Sequence, residues 1–337
     1  MFRNKSILIT GGTGSFGKSF LSYLIKKNLK FKKIIIFSRD ELKQHEMRSI
    51  KKFDDTHNKS LRYFIGDVRD KDRLIQAFQD VDYIIHAAAL KQVPTGEYNP
   101  FETLKTNVIG SQNIIDASMA SSKVKKVIAL STDKAVSPIN LYGASKLCSD
   151  KLLITSNLVK GDRQISFSVV RYGNVMGSRG SVLPIFLDQK KKQNFFTITS
   201  KEMTRFNISL IEACEMVLWS IKNCIGGEIV VPKTKAFKVV DLATAIDNKM
   251  KHKIIGIRNG EKIHEELISE ADSLNTYDIK KYYLLLPNNK KIISHYQKKY
   301  KAKKVAKNFR YSSNTINKFL KVNNLRDLIK KNLKFLE

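Results

Sequence analysis

Cysteine is scarce in this chain, with 3 in 337 residues. Cys148, Cys214 and Cys224 form an odd set without metal-ligand spacing. No disulfide framework and no bound metal are expected, and a reducing compartment, the cytoplasm, is. Long apolar runs are also missing. Nowhere do about 18 apolar residues follow one another, so no membrane span is expected. The opening MFRNKSILITGG meets glycines after a few apolar residues, too soon for a signal peptide. Acids are few: 31 Asp and Glu stand against 61 Lys and Arg, a net charge of +30. Such a balance suits an anionic partner, whether nucleotide, nucleic acid or membrane surface. Lysine is spread along the whole chain, however, and Ile and Asn are abundant with it, as an AT-rich genome would produce. We therefore read Lys280–Lys307 as a solvated surface and expect no nucleic-acid partner. What is present, 42% hydrophobic and 9% aromatic residues, excludes disordered and collagen-like classes. The length suits two domains, or one large α/β domain with an appendage.

Short apolar runs alternate with longer amphipathic stretches. Strands are expected at Ser6–Thr10, Lys33–Phe37, Leu61–Ile65, Val81–Ala87, Val124–Ser131 and Ile165–Arg171. Helices are expected near Lys18–Lys27, Asp40–Lys52, Asp70–Phe78, Pro100–Ala120 and Asn140–Leu158. Continuous hydrophobicity means strands covered on both faces, and strands joined by helices mean βαβ units. The expected fold is therefore α/β, a Rossmann-like doubly wound parallel sheet over residues 1–172. Residues 173–337 are expected to form a smaller α/β substrate region, and the chain has room to cross back between the two. Its expected elements are a helix near Leu210–Lys222, a strand at Glu228–Val231 and a helix near Val239–Lys249.

The first strand runs into Thr10-Gly11-Gly12-Thr13-Gly14-Ser15-Phe16-Gly17. Glycines there permit a tight turn and a close approach of backbone N–H groups to a pyrophosphate, at which the next helix points its positive end. A glycine-rich turn alone is weak evidence. Between an expected strand and helix it indicates dinucleotide binding. After the second strand stand Ser38, Arg39 and Asp40, where NAD-binding units usually place an acid for the ribose diol. Arg39 and Ser38, with Lys43 a turn later, suit a 2′-phosphate, so NADP is the expected cofactor. The competing reading makes Asp40 a helix cap. Asp67, after the third strand, is either an acceptor for the adenine amino group, with Val68 packed on the ring, or a turn residue.

Ser131–Lys146 reads STDKAVSPINLYGASK. Tyr142 and Lys146 share a helix face. A lysine beside a phenol is expected to lower the phenol's pKa toward neutrality. Thr132 places a hydroxyl at the carboxyl edge of the sheet, where ligands bind.

With the glycine loop upstream, this stretch resembles the extended short-chain dehydrogenases/reductases that act on nucleotide sugars. Thr132-Asp133-Lys134 is similar to the inverting UDP-N-acetylglucosamine 4,6-dehydratases that open pseudaminic acid synthesis. The dTDP-glucose dehydratases usually carry Thr-Asp-Glu there, and the 4-epimerases lack the acid–base pair. Further stretches carry the likeness along nearly the whole chain: SRDELK (38–43), AAALKQVP (87–94), EYNP (97–100), KTNV (105–108), RYGNVMGSRGSV (171–182), MTRF (203–206), GGEIVVPK (226–233), IGIRNGEKIHE (255–265) and YSSNT (311–315). Thr95-Gly96 departs from the bulkier or alanine-like residues expected there, and the basic stretch before Tyr311 matches poorly.

The resemblance implies a cofactor site at Gly11, Thr13, Gly14, Ser15, Phe16, Gly17, Ser38, Arg39, Asp40, Lys43, Asp67, Val68, Ala87, Ala88, Ala89, Lys91, Asn107, Tyr142 and Lys146. It implies substrate contacts from Lys91, Asn174 and Val175. Arg179, Arg205 and Arg258 would clamp a diphosphate, since guanidinium forks match phosphate geometry, and Glu261 would meet ribose or uracil. The implied reaction removes hydride from the sugar C4 while Tyr142 takes the hydroxyl proton. Lys134, kept partly neutral by burial or by the cofactor's positive ring, is the implied C5 base, and Asp133 the implied C6 acid. Hydride then returns to C6.

The expected activity is thus an NADP-dependent UDP-N-acetylglucosamine 4,6-dehydratase with C5 inversion, a cytoplasmic homo-oligomer, dimer or hexamer, serving surface-glycan synthesis. The expected product is UDP-2-acetamido-2,6-dideoxy-β-L-arabino-hex-4-ulose. Rival readings are a retaining dehydratase, whose soluble members often have Met where Tyr142 stands, a UDP-sugar 4-epimerase, and a non-catalytic NADP or nucleic-acid binder. The last is favoured by the +30 charge alone.

Overall fold

A computed structural model describes residues 2–178, 180–316 and 319–336. Its first half alternates strands β1 (Ser6–Thr10), β2 (Lys33–Ser38), β3 (Leu61–Ile65), β4 (Tyr83–His86), β5 (Lys126–Thr132) and β6 (Ser166–Tyr172) with helices. The helices are α1 (Ser15–Lys26), α2 (Glu41–Arg48), α3 (Lys71–Ala77), α4 (Val93–Tyr98), α5 (Pro100–Leu104), α6 (Gly110–Ala120) and α7 (Leu141–Val159). Every residue of β1, β4 and β6 is buried, as continuous apolar runs require of strands covered on both faces. Alternation along each strand divides the core. Ile7 and Ile9 pack with Phe20, Leu24 and Met216 on one face. Leu8 packs with Phe37, Leu74 and Ile114 on the other.

Across the main sheet the order is Lys303–Lys304, Thr276–Asp278, Tyr282–Leu285, Ile229–Pro232, β6, β5, β4, β1, β2, β3, ten strands among the described residues. From Ile229–Pro232 to β3 all neighbours are parallel, and the strands beyond Ile229–Pro232 are antiparallel. The order reverses at β1, which lies between β4 and β2, so a crevice opens there at the carboxyl edge.

A cut at residue 172 therefore does not divide the molecule into two sheets, because four strands that follow it extend the first one. What remains of the later chain builds small sheets beside that edge: Asn174–Val175 with Thr204–Ile208 and Lys235–Lys238, Phe195–Ile198 with Lys251–Ile254, and Glu266–Ile268 with Tyr311–Ser312. A separate apolar cluster, including Phe186, Phe196, Phe237 and Leu242, lies under part of them. The helix expected over Pro100–Ala120 is continuous, but its Lys105–Ile109 turn is wound as a π-helix. α4, with Pro94 in its first turn, was not expected.

Candidate active site

A cleft of about 570 Å³ runs along the carboxyl edge and gathers residues from both halves of the chain. The loop between β1 and α1 forms one wall through Gly11, Thr13, Gly14, Ser15 and Phe16. Gly11 has φ +62°, and a β-carbon on it would lie 2.9 Å from the Ala88 backbone, so only glycine keeps the two loops together. Gly17 does not line the cleft. It packs α1 onto the loop, where a β-carbon would stand 2.2 Å from the Gly12 oxygen.

The adjoining wall is Ala87–Lys91, held from behind. Thr10 Oγ1 accepts the N–H groups of Ala87 (3.1 Å) and Ala88 (3.3 Å) and lies 2.9 Å from His86 Nδ1. Its one proton therefore goes to Nδ1, so the imidazole carries its own on Nε2 and faces Ser111 Oγ at 3.2 Å. Burial lowers this histidine's pKa to about 3, with the Lys146 charge adding to the effect. Asn107 also stands behind the wall, not in it. Its Oδ1 accepts from Leu90 N–H (2.8 Å), and its Nδ2 donates to the Leu90 carbonyl (2.9 Å) and to Ser145 Oγ (2.9 Å).

At the far end Ser38, Arg39, Asp40, Lys43, Asp67 and Val68 line the cleft. Asp40 caps α2 by accepting from Lys43 N–H at 2.9 Å, and its carboxylate pairs with Lys43 Nζ. Asp67 accepts from Arg69 N–H at 3.0 Å and pairs with Arg69 (2.7 Å) and Arg39 (3.7 Å). Burial opposes its charge, but the Arg69 hydrogen bonds outweigh burial and hold the carboxyl below its ordinary value. The arginine at the end of β2 thus faces the same opening as Ser38.

The reactive end lies where β5 stops. Asp133 and Lys134 form a single 3-10 turn, and Gly143 brings α7 against it. Thr132 Oγ1 donates to Asp133 Oδ1 at 2.9 Å, and Lys134 Nζ lies 3.2 Å from the same oxygen. Burial raises the Asp133 pKa, which suits an acid. Its Oδ2 is buried without a hydrogen-bond partner. Tyr142 and Lys146 line the same cleft, and burial lowers the Lys146 pKa, with Asp150 partly offsetting it.

Two sequence-based expectations are corrected here. The Tyr142 phenol is not drawn toward neutrality. Burial pushes it up to about 12, and the opposing influences are the Lys134 charge and the Thr132 hydroxyl rather than Lys146. Nor is the Lys134 amine partly neutral. Burial would lower its pKa, but the Asp133 and Glu265 charges outweigh burial and hold the ammonium above the ordinary lysine value. Glu265, 3.0 Å from Lys134 Nζ, is a residue that sequence reasoning missed. So is the buried Arg171–Asp150 pair, 3.5 Å apart, to which Ser131 Oγ donates at 2.7 Å behind the active edge.

Lys91, Asn174 and Val175 line the cleft. Arg205 does not. It is buried, donates to the carbonyls of Thr204 (2.8 Å) and Ile263 (3.0 Å), and faces Glu261 (3.5 Å) and Glu265 (3.8 Å). Held this way it positions acids and is not directed at a diphosphate. Glu261 accepts from Thr199 Oγ1 at 3.3 Å. Arg258 is exposed on the neighbouring loop, outside the cleft. Arg179 lies outside the described residues.

Residues 7–287 match the model of a family described as polysaccharide biosynthesis protein. A Campylobacter jejuni protein named UDP-N-acetylglucosamine 4,6-dehydratase (inverting) is 50% identical over 98% of this chain and 98% of its own length. A Rickettsia conorii protein named UDP-glucose 4-epimerase is 44% identical over 84% of this chain and 83% of its own. Among solved structures, the X-ray structure of Pen from Bacillus thuringiensis superimposes with a TM-score of 0.87 at 35% identity, covering 99% of each chain.

Proposed function

Since this chain belongs to the polysaccharide biosynthesis protein family, we propose that it is an NADP-dependent UDP-N-acetylglucosamine 4,6-dehydratase that inverts C5. One observation carries the reading: Thr132, Asp133 and Lys134 share a single cleft with Tyr142 and Lys146. An oxidation needs only the tyrosine and lysine. An acid and an amine at bonding distance beside them supply the groups for an elimination. The near-full-length likeness to an inverting dehydratase supports the same choice.

NADP fits the residues present: the Gly11–Phe16 loop and the start of α1 for a pyrophosphate, and Ser38, Arg39 and Lys43 for a 2′-phosphate. Its nicotinamide would accept hydride from C4 and return it to C6. As the phenolate, favoured against burial by the Lys134 charge and the Thr132 hydroxyl, Tyr142 takes the proton of the C4 hydroxyl. Lys134 takes the C5 proton, made acidic by the 4-keto group. Asp133, whose pKa burial raises, gives its proton to the departing C6 oxygen, which leaves as water. Asn174, Val175 and Lys91 orient the sugar. C5 becomes planar between the two steps, so the face that receives the new proton sets the configuration, and Tyr142 or a water opposite Lys134 inverts it. The enzyme is read as a cytoplasmic homo-oligomer. Its three cysteines are free thiols, among the described residues no helix is long and apolar enough to cross a membrane, and Tyr98, Phe101, Leu158 and Val159 present exposed apolar surface.

Proton NMR of UDP-N-acetylglucosamine incubated with the protein and NADP+ tests this. The expected early product is UDP-2-acetamido-2,6-dideoxy-β-L-arabino-hex-4-ulose. An early D-xylo isomer alone makes this a retaining enzyme, and a 4-hydroxyl epimer with C6 intact makes it an epimerase.

A further inference from the structure

Lys134 has to give up a proton before it can take one from C5, yet its surroundings hold it charged. Titratable and charged groups from its own turn and from other elements bear on it. Asp133 lies beside it in the chain at 3.2 Å, and Glu265, on the loop before Glu266–Ile268, approaches to 3.0 Å. Tyr142 approaches from α7 and Lys91 from the cleft wall. Arg205 stands 3.8 Å from Glu265, and Lys262, which donates to the Val136 carbonyl at 2.6 Å, adds a second positive charge near it.

Glu265 is built into its place. Its backbone N–H donates to Ser313 Oγ at 2.9 Å, and its carbonyl accepts from Ser313 N–H at 2.8 Å. Its side chain is 2% exposed, and Oε2 is buried with no hydrogen-bond partner. A buried carboxylate with one oxygen on an ammonium and the other unsatisfied is costly. Burial opposes the Glu265 charge, but Lys134 and Arg205 outweigh it and hold the carboxyl below its ordinary value, so moving one proton across 3.0 Å to give a neutral amine and a carboxylic acid is an uphill, brief event.

Resting on the dehydratase reading above, we propose that Glu265 is the proton acceptor that converts Lys134 from ammonium to base. The N–H bond of Lys134 breaks and an O–H bond forms on Glu265 Oε1. The freed amine pair then takes the C5 proton, the C5–H electron pair becomes the C5–C6 double bond, and the C6–O bond breaks as Asp133 protonates the leaving oxygen. C5 is reprotonated, as hydride returns to C6, by the proton that Tyr142, entering the cycle as phenolate, took from the C4 hydroxyl. Glu265 returns its own proton to Lys134 while Lys134 reprotonates Asp133, 3.2 Å away, and every group regains its starting state. Glu265 acts through Lys134 and is a positioning residue in this scheme.

The test is the rate of deuterium entry at C5 in D2O against pH, for wild type, Glu265→Gln and Glu265→Asp, with NADP bound. Because the proton is passed internally, the wild-type rate is expected to be flat from about pH 6 to 8. In Glu265→Gln the lysine must deprotonate to solvent. The rate is expected to fall about 100-fold at pH 7 and to rise roughly tenfold per pH unit. Glu265→Asp, which keeps the carboxylate, is expected to restore the flat profile at reduced rate, and carries the test if the glutamine variant does not fold. A flat, wild-type profile in Glu265→Gln, or a steep one in Glu265→Asp, overturns the proposal. A wild type that oxidises C4 but never exchanges C5 overturns the dehydratase reading instead.

Discussion

A β-carbon on Gly143 would lie 2.1 Å from the carbonyl oxygen of Lys134. α7 therefore rests directly on the turn that carries Asp133 and Lys134, and Tyr142, the preceding residue, is delivered to the same place. One missing side chain brings two parts of the reactive end together.

Gly143→Ala must push that contact apart. The obstructing atom is backbone on a buried turn and cannot swing away. A loss of about 1–3 kcal/mol in stability is expected, with a larger proportional loss of turnover. Urea denaturation and product formation measured on the same preparation check both.

Arg39 separates the two nicotinamide nucleotides. Arg39→Ala is expected to weaken NADP binding by about 1.5–3 kcal/mol, the scale of a charge-assisted hydrogen bond, and to leave NAD binding almost unchanged. Calorimetry with each cofactor decides this. Equal losses for both mean that Arg39 does not read the 2′-phosphate.

Tyr142→Phe and Lys134→Ala should stop the reaction at different points. Without the phenol no hydride leaves C4, so neither keto sugar nor C5 deuterium appears in D2O. Without the amine, reduced cofactor still forms in a single turnover, but C5 stays protonated. Undiminished C5 exchange in Lys134→Ala would show that another group is the base.

His86 ties stability to acid. Its pKa is lowered to about 3 in the folded protein, against about 6.5 when unfolded. Below about pH 6.5 the unfolded chain takes up a proton that the folded one refuses. This group's contribution is complete above that pH and falls by about 1.4 kcal/mol per pH unit as pH drops toward the folded value. His86→Gln should flatten that part of the stability profile while lowering stability at pH 7. Equal slopes for the two proteins in urea titrations between pH 4 and 6.5 would refute the assignment.

Much of this architecture is legible in the chain because its signals are local. Ile7–Ile9 and Ile34–Phe37 are unbroken apolar runs, and the glycine loop follows the first of them directly. Thr132, Asp133, Lys134, Tyr142 and Lys146 lie within one strand–turn–helix passage. Glu265 carries no such signal. It meets Lys134 only because Thr204–Ile208 and Tyr311–Ser312 bring its loop back to the cleft, and a glutamate before a short strand reads as surface. Arg205 misleads for the converse reason, since an arginine in MTRF looks like a phosphate ligand until Glu261, Glu265 and two carbonyls are found around it. The expectation for Tyr142 weighs Lys146 without burial, and that for Lys134 weighs burial without the Asp133 and Glu265 charges that outweigh it. The later strands of the main sheet are short, Thr276–Asp278 among them, and give no periodicity to read.

β6 has a first-half strand on one side and Ile229–Pro232 on the other. During synthesis, the nucleotide-binding half therefore leaves the ribosome with an uncovered edge strand, every residue of which is buried in the finished fold. It stays so until the chain has grown as far as Ile229–Pro232. An exposed edge of that kind recruits other strands, so a fragment ending near residue 172 would be sticky rather than a free-standing domain.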